Sequence, residues 1–140
     1  MKLKSLKKLI RISKIKENDL STRLRSIAKQ LDGLESSIHR WREHLERVEI
    51  EIMEKLQRGI DGKNLQHLLR QKETLALMLS SLMAEMGELH SEFGSLAGEL
   101  MQEKNRTNLI DEKKVKIERQ IQRDIGRKLE LEIIETWQKT

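Results

Sequence analysis

Proline, cysteine and tyrosine are missing from this 140-residue chain, and phenylalanine occurs once. Without proline, nothing breaks a helix from within, so very long helices are permitted. Without cysteine there is no disulfide framework and no thiolate chemistry, which fits a cytoplasmic protein. A compact core in a chain of this length normally uses several aromatic side chains; one Phe and two Trp do not predict one. Long apolar runs are lacking too. Lys7, Lys8, Arg11, Lys14 and Lys16 interrupt the leucines and isoleucines near the start. A secretory signal needs a continuous apolar stretch and is not expected, and no window approaches a membrane span.

What is present is charge and aliphatic bulk. Charged and apolar residues each make up 36% of the chain, and that balance at a sustained 3.5-residue period is the composition of a coiled coil. The net charge is +5, but it is unevenly spread. Residues 1–16 hold seven Lys and Arg and no acid, whereas residues 85–103 hold Glu85, Glu88, Glu92, Glu99 and Glu103 and no Lys or Arg.

Every seventh residue from Leu3 reads Leu3, Ile10, Glu17, Leu24, Leu31, Ile38, Leu45, Ile52, and from Leu6 it reads Leu6, Ser13, Leu20, Ile27, Leu34, Trp41, Val48, Lys55. The two series alternate in steps of three and four, which is a coiled-coil seam. This predicts a first helix over about 2–58. A second seam runs from Leu65 and Leu68 through Lys72, Leu75, Leu79, Leu82, Met86, Leu89, Phe93, Leu96, Leu100, Glu103, Thr107, Ile110, Lys114 and Ile117 to Ile121. It predicts a second helix over about 62–138. Between them lie Gly59 and Gly62, which can supply positive φ angles for a turn near 59–62, and Asp61, which can cap the second helix.

These features predict an all-α fold: a long antiparallel two-helix coiled-coil hairpin, one domain over 1–140, with an overhanging C-terminal helix. Facing residue numbers that add to about 120 pair Leu56 with Leu65, Ile52 with Leu68, Leu45 with Leu75, Ser13 with Thr107 and Ile10 with Ile110. The same register sets Glu17 against Glu103, a polar layer open to a partner rather than a catalytic pair. The first helix then runs out near residue 119, leaving about twenty residues of overhang, roughly 30 Å long. There Ile121, Ile125, Leu129, Ile133 and Trp137 follow at intervals of four, so the 3.5-residue period is lost. Exposed apolar clusters of this kind mark interaction sites.

The remaining patterns are weaker. Leu9, Ile12 and Ile15 form a second apolar face among the N-terminal bases, either scattered surface residues or a partner contact. Ser80, Ala84, Gly87, Ser91, Gly94 and Gly98 form a stripe of small residues opposite the seam, either a thin solvated face or an approach for another helix. His39, His44, His67 and His90 have no metal-ligand spacing, and the two glycines lack the lysine–hydroxyl pair of a phosphate loop. No catalytic residue, metal or cofactor is expected, and the chain reads as a non-enzyme.

The basic start Leu6-Lys7-Lys8-Leu9-Ile10-Arg11-Ile12, the uninterrupted hairpin and the mid-chain Gly59-Ile60-Asp61-Gly62-Lys63-Asn64-Leu65 resemble the FliJ/YscO (SctO) family. These are the central stalks of flagellar and virulence-type type III export machines. The resemblance implies a monomeric rod at the cytoplasmic face of the inner membrane. Its free ends enter a hexameric export ATPase, and its partners include an export gate protein and secretion chaperones. It implies Lys4, Lys7, Lys8, Arg11, Ile121, Ile125, Leu129, Ile133 and Trp137 as ATPase-binding residues. Leu68, Gln71 and Leu75 stand where the family has its gate- or chaperone-binding patch. Two other readings are a self-associating coiled-coil scaffold and a basic coiled-coil nucleic-acid binder. The second is disfavoured because Leu3, Leu6 and Ile10 place the basic segment inside the coil, leaving no free fork.

Overall fold

The computed structural model describes residues 2–59 and 62–139. They form two helices, α1 (Leu3–Arg58, 56 residues) and α2 (Gly62–Lys139, 78 residues). The helices pack antiparallel as a coiled-coil hairpin, and α2 carries an overhanging C-terminal stretch. Their packing divides into two units, one of Met1–Thr22 with Ala97–Thr140 and one of Arg23–Leu96.

The seam decides what is buried. All sixteen heptad positions of α1, from Leu3 to Lys55, are buried or half-buried. In the second unit Val48 and Ile52 of α1 meet Leu68 and Leu75 of α2, with Trp41, Leu45 and Leu65 packed against them. In the first unit Leu6, Ile10 and Leu20 are buried beside the polar pair Ser13 and Thr107. Ser13 and Thr107 meet at 2.7 Å and Lys72 reaches Glu49 at 3.8 Å, so the register near 120 holds in each unit.

Two seam assignments near the turn need correction. Leu56 is 59% exposed and does not pair with Leu65. The seam steps from Ile52 to Lys55, and one further residue rotates about 100° off the contact line. Lys55 lays its alkyl stem along the seam, its side chain only 22% exposed, while its ammonium reaches Glu51 at 3.7 Å. On α2 the position between Leu68 and Leu75 is taken by half-buried Gln71 rather than by Lys72, which is exposed.

The turn uses one glycine. Gly59 has φ +68°, the only positive φ among the described residues, and it follows the last helical residue as a left-handed C-terminal cap does. Gly62 is the first residue of α2 and is helical. The capping role expected of Asp61 lies outside the described residues.

A methyl group would meet nothing at Gly59 or at Gly94, so alanine there tests conformation alone. Gly59→Ala is expected to destabilise by about 1–2 kcal/mol through the left-handed φ. Gly94→Ala, in mid-helix, is expected to stabilise by up to about 1 kcal/mol. Urea melts followed by circular dichroism will show the opposite signs.

Candidate functional site

The first unit holds most of the functional candidates. Lys4, Lys7, Lys8 and Arg11 are all exposed, as are Lys2, Lys14 and Lys16. They project from α1 because the seam residues Leu3, Leu6, Ile10 and Ser13 take the inward face. Beside them Ile12 and Ile15 are 51% and 63% exposed. Leu9, Ile12 and Lys16 share a shallow groove with Arg106 and Ile110 of α2.

The polar layer between the helices is closed, contrary to the open partner layer read from the sequence. Ser13 and Thr107 are 3% and 7% exposed. The Ser13 hydroxyl donates to Glu103 Oε1 at 2.6 Å and contacts Thr107 Oγ1 at 2.7 Å. Thr107 Oγ1 also lies 2.9 Å from the Glu103 carbonyl oxygen. Two hydroxyl protons serve three contacts, so the charge-assisted bond to the carboxylate sets the order. Ser13 donates to Glu103, and Thr107 donates to Ser13 or back to its own helix. Glu103 is thereby turned towards Ser13, and Glu17 is left half-buried at the seam.

Ile121, Ile125, Leu129, Ile133 and Trp137 are 43–79% exposed. Every described residue from 119 to 139 is exposed, so no described part of the chain covers this length of α2. Leu129, Ile133 and Trp137 line a shallow depression with Glu132 and Thr136.

The candidates on the second unit fare differently. Leu68 and Leu75 are each 4% exposed and belong to the hydrophobic core. They cannot form a surface patch while the hairpin is closed, because Val48 and Ile52 occupy their apolar faces. Half-buried Gln71 is the one member of that set at the surface. Chain reversal also assembles a groove that sequence spacing did not reveal. Asp32, Ser36, His39 and Arg42 of α1 line it with Met83, Met86, Gly87 and His90 of α2. His39 is paired with Glu43 at 3.1 Å. Among the described residues no group of three His, Asp or Glu could hold a metal ion. No described helix is long and apolar enough to cross a membrane.

No protein-family model, curated protein or solved structure matches the chain. The class is therefore defined by the structure itself: an all-α, two-helix coiled-coil hairpin whose distinctive surfaces are a basic helical face and an uncovered apolar stripe.

The closed polar layer can be checked directly. Ser13→Ala leaves the half-buried carboxylate without its donor, and the expected cost is about 1–3 kcal/mol. Replacing every member of the layer, Ser13→Ala with Glu103→Leu and Thr107→Val, removes donor and acceptor together and is expected to be closer to neutral. Denaturant midpoints at constant m-value distinguish the two.

Proposed function

We propose that this chain is a non-enzymatic coiled-coil scaffold that pairs with a second copy of itself through the uncovered face of α2 between residues 121 and 139. The symmetry of that face carries the reading. Ile121, Ile125, Leu129, Ile133 and Trp137 have the same four-residue spacing in both directions from Leu129. An antiparallel copy with its Leu129 laid on this one therefore brings Ile125 of each to Ile133 of the other. Two-fold contacts of this self-complementary kind are the commonest in protein assemblies. Residues four apart form the helix ridges that interdigitate at a crossing near −50°, so the two copies cross here and do not extend the hairpin's coil.

Charge favours the same orientation. Arg119, Arg123, Arg127 and Lys128 precede Leu129, and Glu130, Glu132 and Glu135 follow it. An antiparallel copy sets the basic half against the acidic half, whereas a parallel copy sets like against like. At about 100° per residue, Lys128 and Glu132 fall on the same flank of the stripe, so each Lys128 meets the other copy's Glu132. Asp124 and Lys139 depart from the pattern; Asp124 accepts from Gln120 of its own helix at 3.2 Å.

Sedimentation of the full chain should show a dimer, and Leu129→Asp should weaken it by roughly a hundredfold or more by burying an unpaired charge, with the helical signal unchanged. Because the chain has no cysteine, Leu129→Cys should oxidise to a linked dimer and Ile121→Cys should not link to its own copy. A monomer at all accessible concentrations defeats the proposal.

The resemblance to the FliJ/YscO family supports a second reading, favoured by the presence of exposed Lys4, Lys7, Lys8 and Arg11 in the same unit as the stripe. In it a single copy enters a hexameric export ATPase at the cytoplasmic face of the membrane. The bases steer it electrostatically, and Ile121 to Trp137 are buried against the ring. Capture of that ATPase by the full chain, lost when residues 122–140 are deleted, would favour this reading. Equal capture by the truncated chain would count against it.

A further inference from the structure

The exposed side of the first four turns of α1 is not explained by pairing through α2. Its charges also work against the helix. Cations at a helix N-terminus sit at the positive end of the macrodipole, and the first turn of α1 contains no acid. α1 begins with its backbone held by the Lys2 carbonyl, which accepts from Ser5 and Leu6 at 3.0 and 3.2 Å, and with Leu6 packed at 1% exposure. Apolar packing on α2 therefore holds this segment in place, and its bases are exposed outside that buried seam.

Their arrangement follows from the helical repeat. At about 100° per residue, Lys8 lies between Ile12 and Ile15 around the helix, Lys4 and Arg11 border one side, and Lys16 borders the other. The result is two exposed isoleucines in a ring of four exposed bases. The neighbouring stretch of α2 adds Arg106 at the groove shared with Leu9 and Ile12. The first unit carries 17 Lys and Arg against 11 Asp and Glu, and the second unit 11 against 12.

We infer that this face of α1, centred on Ile12 and Ile15 and ringed by Lys4, Lys8, Arg11 and Lys16, docks on an anionic lipid surface. The residue types select that occupant over a protein or a nucleic acid. Six of the seven bases in residues 1–16 are lysine, a compact point charge suited to a diffuse negative surface. Directed pairing with carboxylates or phosphates favours the planar fork of arginine. Protein interfaces anchor on aromatic residues and arginine, and this face has neither an aromatic residue nor more than one arginine. Isoleucines that reach the headgroup boundary, with lysine stems laid flat around them, match an interfacial helix. Each base close to an anionic membrane strengthens binding about fivefold at moderate ionic strength, and salt weakens it.

The test is co-sedimentation of the full chain with vesicles of phosphatidylcholine mixed with phosphatidylglycerol, against phosphatidylcholine alone. Binding is expected only to the mixed vesicles and is expected to fall as salt rises. The triple variant Lys4→Gln, Lys8→Gln, Arg11→Gln should bind roughly a hundredfold more weakly. Ile12→Ser with Ile15→Ser should also weaken binding, with the helical signal unchanged in both variants because all five positions are exposed. Leu129→Asp presents one basic face in place of the dimer's two but should still bind the mixed vesicles and not phosphatidylcholine alone, which separates this surface from the self-pairing stripe. The inference is overturned by equal binding to neutral vesicles, by an unchanged triple variant, or by loss of binding in Leu129→Asp. It is also overturned if duplex DNA at the same salt displaces the chain from the mixed vesicles.

Discussion

A two-helix hairpin can bury only one strip of each helix, and every other property of this protein follows from that limit. In a larger domain a helix is covered on several sides. Here each helix has a single neighbour, so hydrophobic burial is confined to positions three and four apart. Residues off that line can face solvent whatever their chemistry. Leu56 and Leu77 face solvent, while Lys55 is drawn into the seam and must carry its charge out along its own stem. The position on the helix outweighs the hydrophobicity of the side chain.

The same limit makes polar seam residues informative. A run of leucines along a seam tolerates sliding by a heptad, because one apolar layer resembles the next. Ser13, Thr107 and Glu103 do not tolerate it, since each hydroxyl would lose its partner and remain buried. The layer thus lowers the gain from burial at that point and in return disfavours neighbouring registers. The ion pair of Lys72 with Glu49 is exposed on both sides and adds little stability, although it agrees with the same register.

Function is then left to the surfaces that the seam does not consume. Where α2 has no described neighbour, the stripe through Leu129 is apolar without cover. Where α1 has one, its outward face is basic with two isoleucines at the centre. These two surfaces lie in one unit and differ in chemistry, so they suit different occupants: a self-complementary helix for the stripe, and a diffuse negative surface for the basic face. The buried positions of Leu68 and Leu75 show the converse. Residues that satisfy the seam are withdrawn from any partner.

The periodicity of the chain by itself determined the two helices, the turn between them, the register near 120 and the overhang, because burial against one neighbour leaves a repeat that can be counted along a single strand. Its composition determined the basic face and the acidic stretch of α2. Only the tertiary structure decided that Gln71 and not the adjacent Lys72 enters the seam, since that depends on local rotation against the facing helix. Only the tertiary structure could turn Glu103 to Ser13 in place of a face-off with Glu17, or bring His39 and His90 into one groove across the hairpin. Those outcomes rest on side-chain partners supplied by a distant part of the chain, and no count along one helix contains them.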